Sequence, residues 1–356
     1  MKKLKRNLDV LSKKGLDFIK GIKPSDKLVL IYHSDLDGLC SAAILILALK
    51  KMGKLPKIKT VVGSDEALES VLGDKTLSRY KAIVVLDIGL QKLAGRIKKL
   101  DRNLLIVDHH FITSDFNSKS VIYVNPRFKH AEIYQPISYF IYKLLSTVSN
   151  ISELEWISAL GTVADYGFED CKDIVSKYGI KKKGDLEKST LWKAAKILNG
   201  AFAVIGFDKG LDFFMRSKNI GGLLRNKKLR AASRTFEKEY KRAKEGFWEN
   251  CIYDEDLNMV FSVIKPRYKR IASALITDIS IEHPEKIILL VEKLDKSYKV
   301  HARNQSGRIN LGKIISKCCK YGGGHRQSAG GTFTIGKNEL EKFKGKIERE
   351  IRRFSR

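Results

Sequence analysis

LVLIYHSDLDG, residues 28–38, is an apolar run that ends in His33, Asp35 and Asp37. An unbroken stretch of Leu, Val and Ile predicts a strand buried on both faces. Unpaired carboxylates at the end of such a strand are costly, because nothing in an apolar interior replaces their hydration. Two further stretches repeat the pattern. AIVVLDIG at 82–89 ends in Asp87, and LLIVDHH at 104–110 ends in Asp108, His109 and His110. His33, Asp35 and Asp37 alternate, which in an extended segment puts their side chains on one face, and Gly38 then permits a sharp turn. In open parallel sheets ligands collect at the carboxyl ends of strands, so these groups converge.

The donor types specify what they hold. Carboxylate oxygen mixed with imidazole suits Mn²⁺ or Mg²⁺, and no thiolate stands in these motifs to favour a softer ion. Seven candidate ligands exceed the needs of one octahedral ion, and paired cations about 3.5–4 Å apart are a recurring device for hydrolysing phosphate esters. A lone Asp after a strand is more often a cap or turn residue. Three strand ends with the same chemistry outweigh that reading.

These residues resemble the DHH phosphoesterases. The likeness rests on HSDLDGLCSAA at 33–43, Asp87 in VVLDIG, VDHH at 107–110, Asp165 in GTVADYG at 161–167, and GGGHRQSAGG at 322–331, in the family's order. Within the family it is nearer to RecJ-type exonucleases and nano-RNases. The resemblance implies one metal on His33, Asp35 and Asp87 and a second on Asp37, Asp87, His109 and Asp165, with Asp87 bridging. It makes His110 the residue that bonds the scissile phosphate, and Asp108 an acceptor behind the ligands that orients an imidazole. RecJ-type proteins commonly carry Asp where this chain has His33, a departure toward the nano-RNases and pyrophosphatases.

The second motif lies in RNQSGRINLGKIISKCCKYGGGHRQSAGG at 303–331. It reads as a strand end, a short amphipathic helix and a glycine loop leading into TFTI. Gly322, Gly323 and Gly324 free the backbone to approach an anion, with His325 and Arg326 as adjacent donors. The plain alternative is a hairpin turn with incidental polar residues. In the resembled family the element belongs to a C-terminal domain that faces the metals and holds the nucleotide, and Arg303 matches an anion-binding position there.

Composition agrees with a polyanionic substrate. The chain has 68 Lys and Arg against 40 Asp and Glu, a net charge of +28. Such a surplus attracts nucleic acid. Basic side chains outnumber acidic ones eight to two in 1–25, nine to three in 222–246 and eight to four in 337–356, which marks these runs as a track for a strand. A charge run is also often only a solvated face. Phe213, Phe214 and Tyr321 are able to stack bases, although such residues are more often core.

At 356 residues two α/β domains are expected. The first, 1–225, has a basic N-terminal helix and a Rossmann-like, largely parallel sheet. Its strands lie at 27–32, 58–62, 82–87, 104–108 and 121–124, and its helices at 40–52, 65–73, 91–99, 135–149 and 152–164. No GxGxxG follows the first strand, so phosphate is held by metal and not by a dinucleotide loop. A connecting helix at 226–254, interrupted near Gly246, leads to a smaller mixed domain at 255–356 that ends in a helix at 338–352. Five cysteines without Cys-x-x-Cys spacing support neither a zinc module nor a disulfide framework and point to a reducing cytosol. The N-terminus lacks the apolar core of a signal peptide, and no segment is suited to cross a membrane.

The reading that follows is a two-metal exonuclease acting on single-stranded DNA or RNA from an end, 5′ to 3′, with replication or repair proteins as partners the resemblance admits. Beside it stand a nano-RNase or 3′-phosphoadenosine 5′-phosphate phosphatase and a non-catalytic nucleic-acid-binding factor.

Overall fold

The computed structural model describes residues 6–63, 71, 79–319, 321–324, 326–334, 336 and 338–355. The chain divides into two units, Met1–Ala232 and Ser233–Arg356.

In the first unit five strands form a parallel sheet: β1 (Lys27–His33), β2 (Lys57–Gly63), β3 (Ala82–Leu86), β4 (Leu104–Val107) and β5 (Val121–Val124). Their order is β2-β1-β3-β4-β5. The chain goes from β1 outward to β2, then returns across β1 to β3, so the carboxyl ends of β1 and β3 border the point where the winding reverses. Ligand sites of open α/β sheets form at such a crevice. The apolar runs are interior strands, with Val29, Leu30, Ile31, Val84, Val85, Leu105 and Ile106 excluded from solvent.

Helix α1 (Leu8–Lys20) starts at Asn7, whose side chain accepts from the amides of Asp9 and Val10. It buries Leu11, Gly15 and Ile19 and leaves Lys13 and Lys14 exposed. Helix α2 (Leu36–Lys51) begins four residues earlier than the apolar pattern suggests, because Asp35 is its N-cap. Helices α3 (Ile137–Ser146) and α4 (Glu155–Ala164) pack on α2 within the same core. The expected helix at 91–99 is only a turn at Gln91–Leu93 followed by Ala94–Ile97, and the one expected at 65–73 lies, but for Val71, outside the described residues. Residues 170–225 supply α5 (Thr190–Ile205) and α6 (Gly210–Arg216), which close this core. Phe214 is fully buried and stacks on Trp156 with centroids 5.9 Å apart, so it is not a base-stacking residue, and Phe213 is half-buried against the same core.

Helix α7 (Lys227–Glu249) runs through Gly246 without the expected interruption. Leu229 and Ala232 belong to the core of the first unit and Phe247 to a core of the second.

The second unit is a six-stranded mixed sheet, built of β6 (Ile252–Asp254), β7 (Met259–Ile264), β8 (Ile287–Lys293), β9 (Ser297–Arg303), β10 (Tyr321–Gly324) and β11 (Ser328–Thr334), in the order β10-β11-β9-β8-β7-β6. Side chains alternate across its strands and so feed two cores. Phe261, Leu289, Val300 and Ala302 pack with α9 (Leu311–Cys318) and α10 (Glu339–Ser355). Val260, Ile288 and Leu290 pack with α8 (Ile271–Glu282) and Phe247.

The glycine run is a strand and not the expected loop. Gly322–Gly324 pair in antiparallel register with Ala329–Gly331. A Cβ on Gly322 would stand 2.7 Å from the Ile315 carbonyl oxygen, and Gly324 has φ +139°. Close packing on α9 and a backbone form that L-residues avoid account for these two glycines without an anion.

Candidate metal centre

Three loops at the carboxyl ends of β1, β3 and β4 bring the charged residues together, and a helix end adds one more. His33 is the last residue of β1, Asp35 caps α2, and Asp37 lies in the first turn of α2. The three are therefore not on one face of a strand. They meet because the chain passes from strand to helix within two residues. Asp35 accepts from the Gly38 amide at 2.9 Å, and its other oxygen pairs with His33 Nδ1.

Gly38 serves close approach and not the turn itself. A Cβ there would lie 2.8 Å from the His33 nitrogen and also press on the His33 carbonyl. Gly38→Ala is accordingly expected to cost about 1–3 kcal/mol of stability through overpacking and to weaken Mn²⁺ binding by pushing His33 aside. Urea unfolding and a Mn²⁺ titration check this, and wild-type values in both would show that the helix start has room to give.

Asp87, just past β3, adopts φ +62°. This left-handed form is uncommon outside Gly, Asn and Asp. Its amide is held by the Val107 carbonyl at 2.9 Å. One carboxylate oxygen lies 3.1 Å from His109 Nε2 and the other 3.7 Å from His33 Nδ1. Asp165 follows α4, 3.6 Å from His109 Nε2. Three sets of donor atoms each fall within 4.8 Å of one another: His33, Asp35 and Asp87; Asp37, His109 and Asp165; and Asp87, His109 and His110.

Donor chemistry and electrostatics both fit divalent cations. Burial, with the charges of Asp35, Asp37, Asp165 and Asp108 added, pushes the Asp87 carboxyl well above its usual range. Burial and Asp165 raise Asp37 to about 7, and burial and Asp35 raise Asp165 to about 6. Burial, then His110, lowers His109, which favours the neutral imidazole that ligates metal. Its Nδ1 is buried and makes no hydrogen bond among the described residues. Carboxylates crowded in this way repel one another until cations neutralise them.

Asp108 is fully buried and bonds His110 Nδ1 at 2.7 Å, so the imidazole it orients is that of His110. Burial opposes the charged form of His110, but the Asp108 carboxylate outweighs it and lifts the group to about 9. Asn125 donates to the His110 carbonyl at 3.0 Å, and Arg127 Nε to the His109 carbonyl at 2.7 Å.

Several supporting residues carry no signal in the motifs. The amides of Ile137 and Ser138, at the start of α3, donate to the two oxygens of Asp37 at 2.7 and 2.9 Å, and the Ser138 hydroxyl also bonds Asp37. Tyr134 donates its hydroxyl to Asp165 Oδ2 at 2.6 Å. The one sequence hint is a Pro-Ile-Ser start to an apolar helix, which reads simply as a helix beginning.

In the second unit Arg303 Nη1 donates to the Ala302 carbonyl at 2.9 Å. Arg326 Nε donates to the Gly307 carbonyl at 2.5 Å, so this expected anion donor is partly engaged by backbone. His325 lies outside the described residues. No helix among the described residues is long and apolar enough to cross a membrane.

Comparison with known proteins identifies the family of both units. The profile described as DHH family, N-terminal domain, matches residues 27–167, and that of the DHHA1 domain matches 257–353. No curated protein sequence matches the chain significantly. Among solved structures, RecJ in complex with Mn²⁺ from Thermus thermophilus superposes with a TM-score of 0.72 at 15% identity, covering 99% of this chain and 56% of that one. Exonuclease RecJ bound to manganese gives 0.69 at 14% identity, with 96% and 94% covered. The pGpG-specific phosphodiesterase PggH from Vibrio cholerae gives 0.53 at 14% identity, with 92% and 99% covered. At these identities the likeness is one of fold. The chain spans little more than half the length of the Thermus RecJ chain, 56%.

Proposed function

Because this chain belongs to the DHH family, with a DHHA1 domain in its second unit, we propose that it is a metal-dependent phosphodiesterase that removes nucleotides from an end of single-stranded DNA or RNA. The observation that carries this reading is the Asp87 carboxylate, whose two oxygens face His109 on one side and His33 on the other. One carboxylate shared between two donor sets is what a pair of cations requires.

His33, Asp35 and Asp87 would hold one divalent cation and Asp37, Asp87, His109 and Asp165 the other, Mn²⁺ favoured and Mg²⁺ next, and when bound they would polarise the phosphoryl group and acidify water. The protein's own part is positional and electrostatic. Asp108 holds the His110 ring by Nδ1 and stabilises its imidazolium, which leaves an Nε2–H to donate to a phosphoryl oxygen as negative charge builds there. The family resemblance assigns Arg303, Gly322, Gly323, Gly324, His325 and Arg326 to the nucleotide, in addition to the packing and backbone roles of Gly322 and Gly324. The basic surplus, including the exposed cations Lys346 and Arg349 of α10, supports a long polyanion over a small symmetric one. Likeness to RecJ favours 5′ to 3′ polarity.

Likeness in fold to the pGpG-specific phosphodiesterase PggH keeps a short-substrate reading beside this one: a dinucleotide or 3′-phosphoadenosine 5′-phosphate at the same site. Cleavage of end-labelled DNA and RNA strands is to be compared with that of a dinucleotide in Mn²⁺. Mononucleotides released preferentially from long strands are expected. Preference for the dinucleotide would replace the first reading with the second, and binding without any product would leave a nucleic-acid-binding protein.

A further inference from the structure

The segment YQPIS, 134–138, contains none of the candidate ligands, yet it touches two of the three donors in the Asp37, His109 and Asp165 group and packs on the third. Tyr134 Oη lies 2.6 Å from Asp165 Oδ2 and 3.0 Å from the Asp165 carbonyl. The Tyr134 ring sits 5.2 Å from the His109 ring, centroid to centroid. At the other end of the segment, Ile137 and Ser138 hold both oxygens of Asp37.

The segment is itself anchored to the loop that carries Asp165. The Tyr134 amide donates to Asp170 Oδ2 at 2.8 Å, and Gln135 Nε2 to the Asp170 carbonyl at 3.2 Å. Pro136 lies so close to Gly167 that a Cβ there would stand 2.6 Å from Pro136 Cγ. Tyr134 is thus held at its amide by Asp170 as well as at its hydroxyl by Asp165. A phenol on a free loop would follow the Asp165 side chain wherever it went, whereas this one is also held through its amide by Asp170 and so limits where that carboxylate points.

We infer that Tyr134 is a positioning residue for the second cation, its hydroxyl fixing the Asp165 carboxylate and its ring backing the His109 imidazole. Affinity at the Asp37, His109 and Asp165 group then depends on a side chain that is no ligand, while the His33, Asp35 and Asp87 group is indifferent to it. The inference rests on the two-cation reading above. Partners of this kind, one bond removed from a metal, typically change its affinity about 10–100-fold when lost.

Tyr134→Phe keeps the ring against His109 and removes only the oxygen. Mn²⁺ titration of the full chain, followed by electron paramagnetic resonance, is expected to show two classes of site in the wild type. In Y134F one class should weaken about 10–100-fold and the other remain in place. Ser138→Ala, which removes one of three donors to Asp37, should weaken the same class by less. Activity of Y134F should return toward the wild-type kcat as Mn²⁺ is raised. Two unaltered classes in Y134F, or both weakened together with a lower melting temperature of the metal-free protein, would overturn the assignment. A wild type that binds no Mn²⁺ would instead overturn the two-cation reading on which it stands.

Discussion

Asp87→Asn is expected to abolish phosphoester hydrolysis and, in the same protein, to raise the melting temperature of the metal-free form. The loss should reach at least about 10³-fold, or ~4 kcal/mol of transition-state stabilisation at about 1.36 kcal/mol per decade, because the substitution removes a carboxylate that faces both donor sets. The stabilisation has a separate origin. Asp87 is 2% exposed and is opposed by the charges of Asp35, Asp37, Asp165 and Asp108. A neutral amide of the same shape relieves that repulsion, and Asn tolerates the φ of +62° that Ala would not. A gain of about 1 kcal/mol corresponds to a rise of about 2–4 °C for a unit of this size. Hydrolysis assays and thermal melts in a chelator check the two halves. Retained turnover would remove the shared-carboxylate scheme, and a large fall in melting temperature would show that Asp87 matters to folding more than to charge.

His110→Asn should lower kcat about 10²–10⁴-fold, the range for loss of a positioned proton-bearing group, and leave Mn²⁺ affinity unchanged. The Asn amide can take over the bond from Nδ1 to Asp108, so the fully buried carboxylate keeps a partner. What disappears is the second ring nitrogen, the one free to meet phosphate. His110 also lies within 4.8 Å of Asp87 and His109, in reach of a cation. The titration therefore separates the two roles. A weakened metal site in H110N would make His110 a ligand and not the phosphate-facing residue.

How much of this centre is legible in the sequence differs from residue to residue. Asp87, Asp108 and His109 stand out because strongly apolar strands end in groups that no apolar core accommodates. The join between His33 and Asp37 is less simple than its alternation suggests. One extended face is the natural reading, but Asp35 begins a helix, and Gly38 is needed where that helix crosses the backbone of His33. The three glycines at 322–324 read as a loop because glycine is poor in strands. Tertiary packing reverses that, since α9 leaves no room for a side chain at Gly322. Tyr134 and Ser138 are invisible in the sequence, because their roles depend on contacts 31 and 101 residues away.

The sequence by itself determined the kind of site: oxygen and imidazole donors at the ends of buried strands, with no thiolate, suit divalent cations. It also determined the Rossmann-like, parallel character of the first unit, since continuous Val, Ile and Leu runs alternate there with helical segments. Only the tertiary structure decided which donors lie within reach of one another. That choice depends on strand order, which puts β1 beside β3, and on the left-handed turn at Asp87 that aims one carboxylate at both neighbours. Composition and periodicity are local properties, whereas the distance between two strand ends is set by the path of the chain between them.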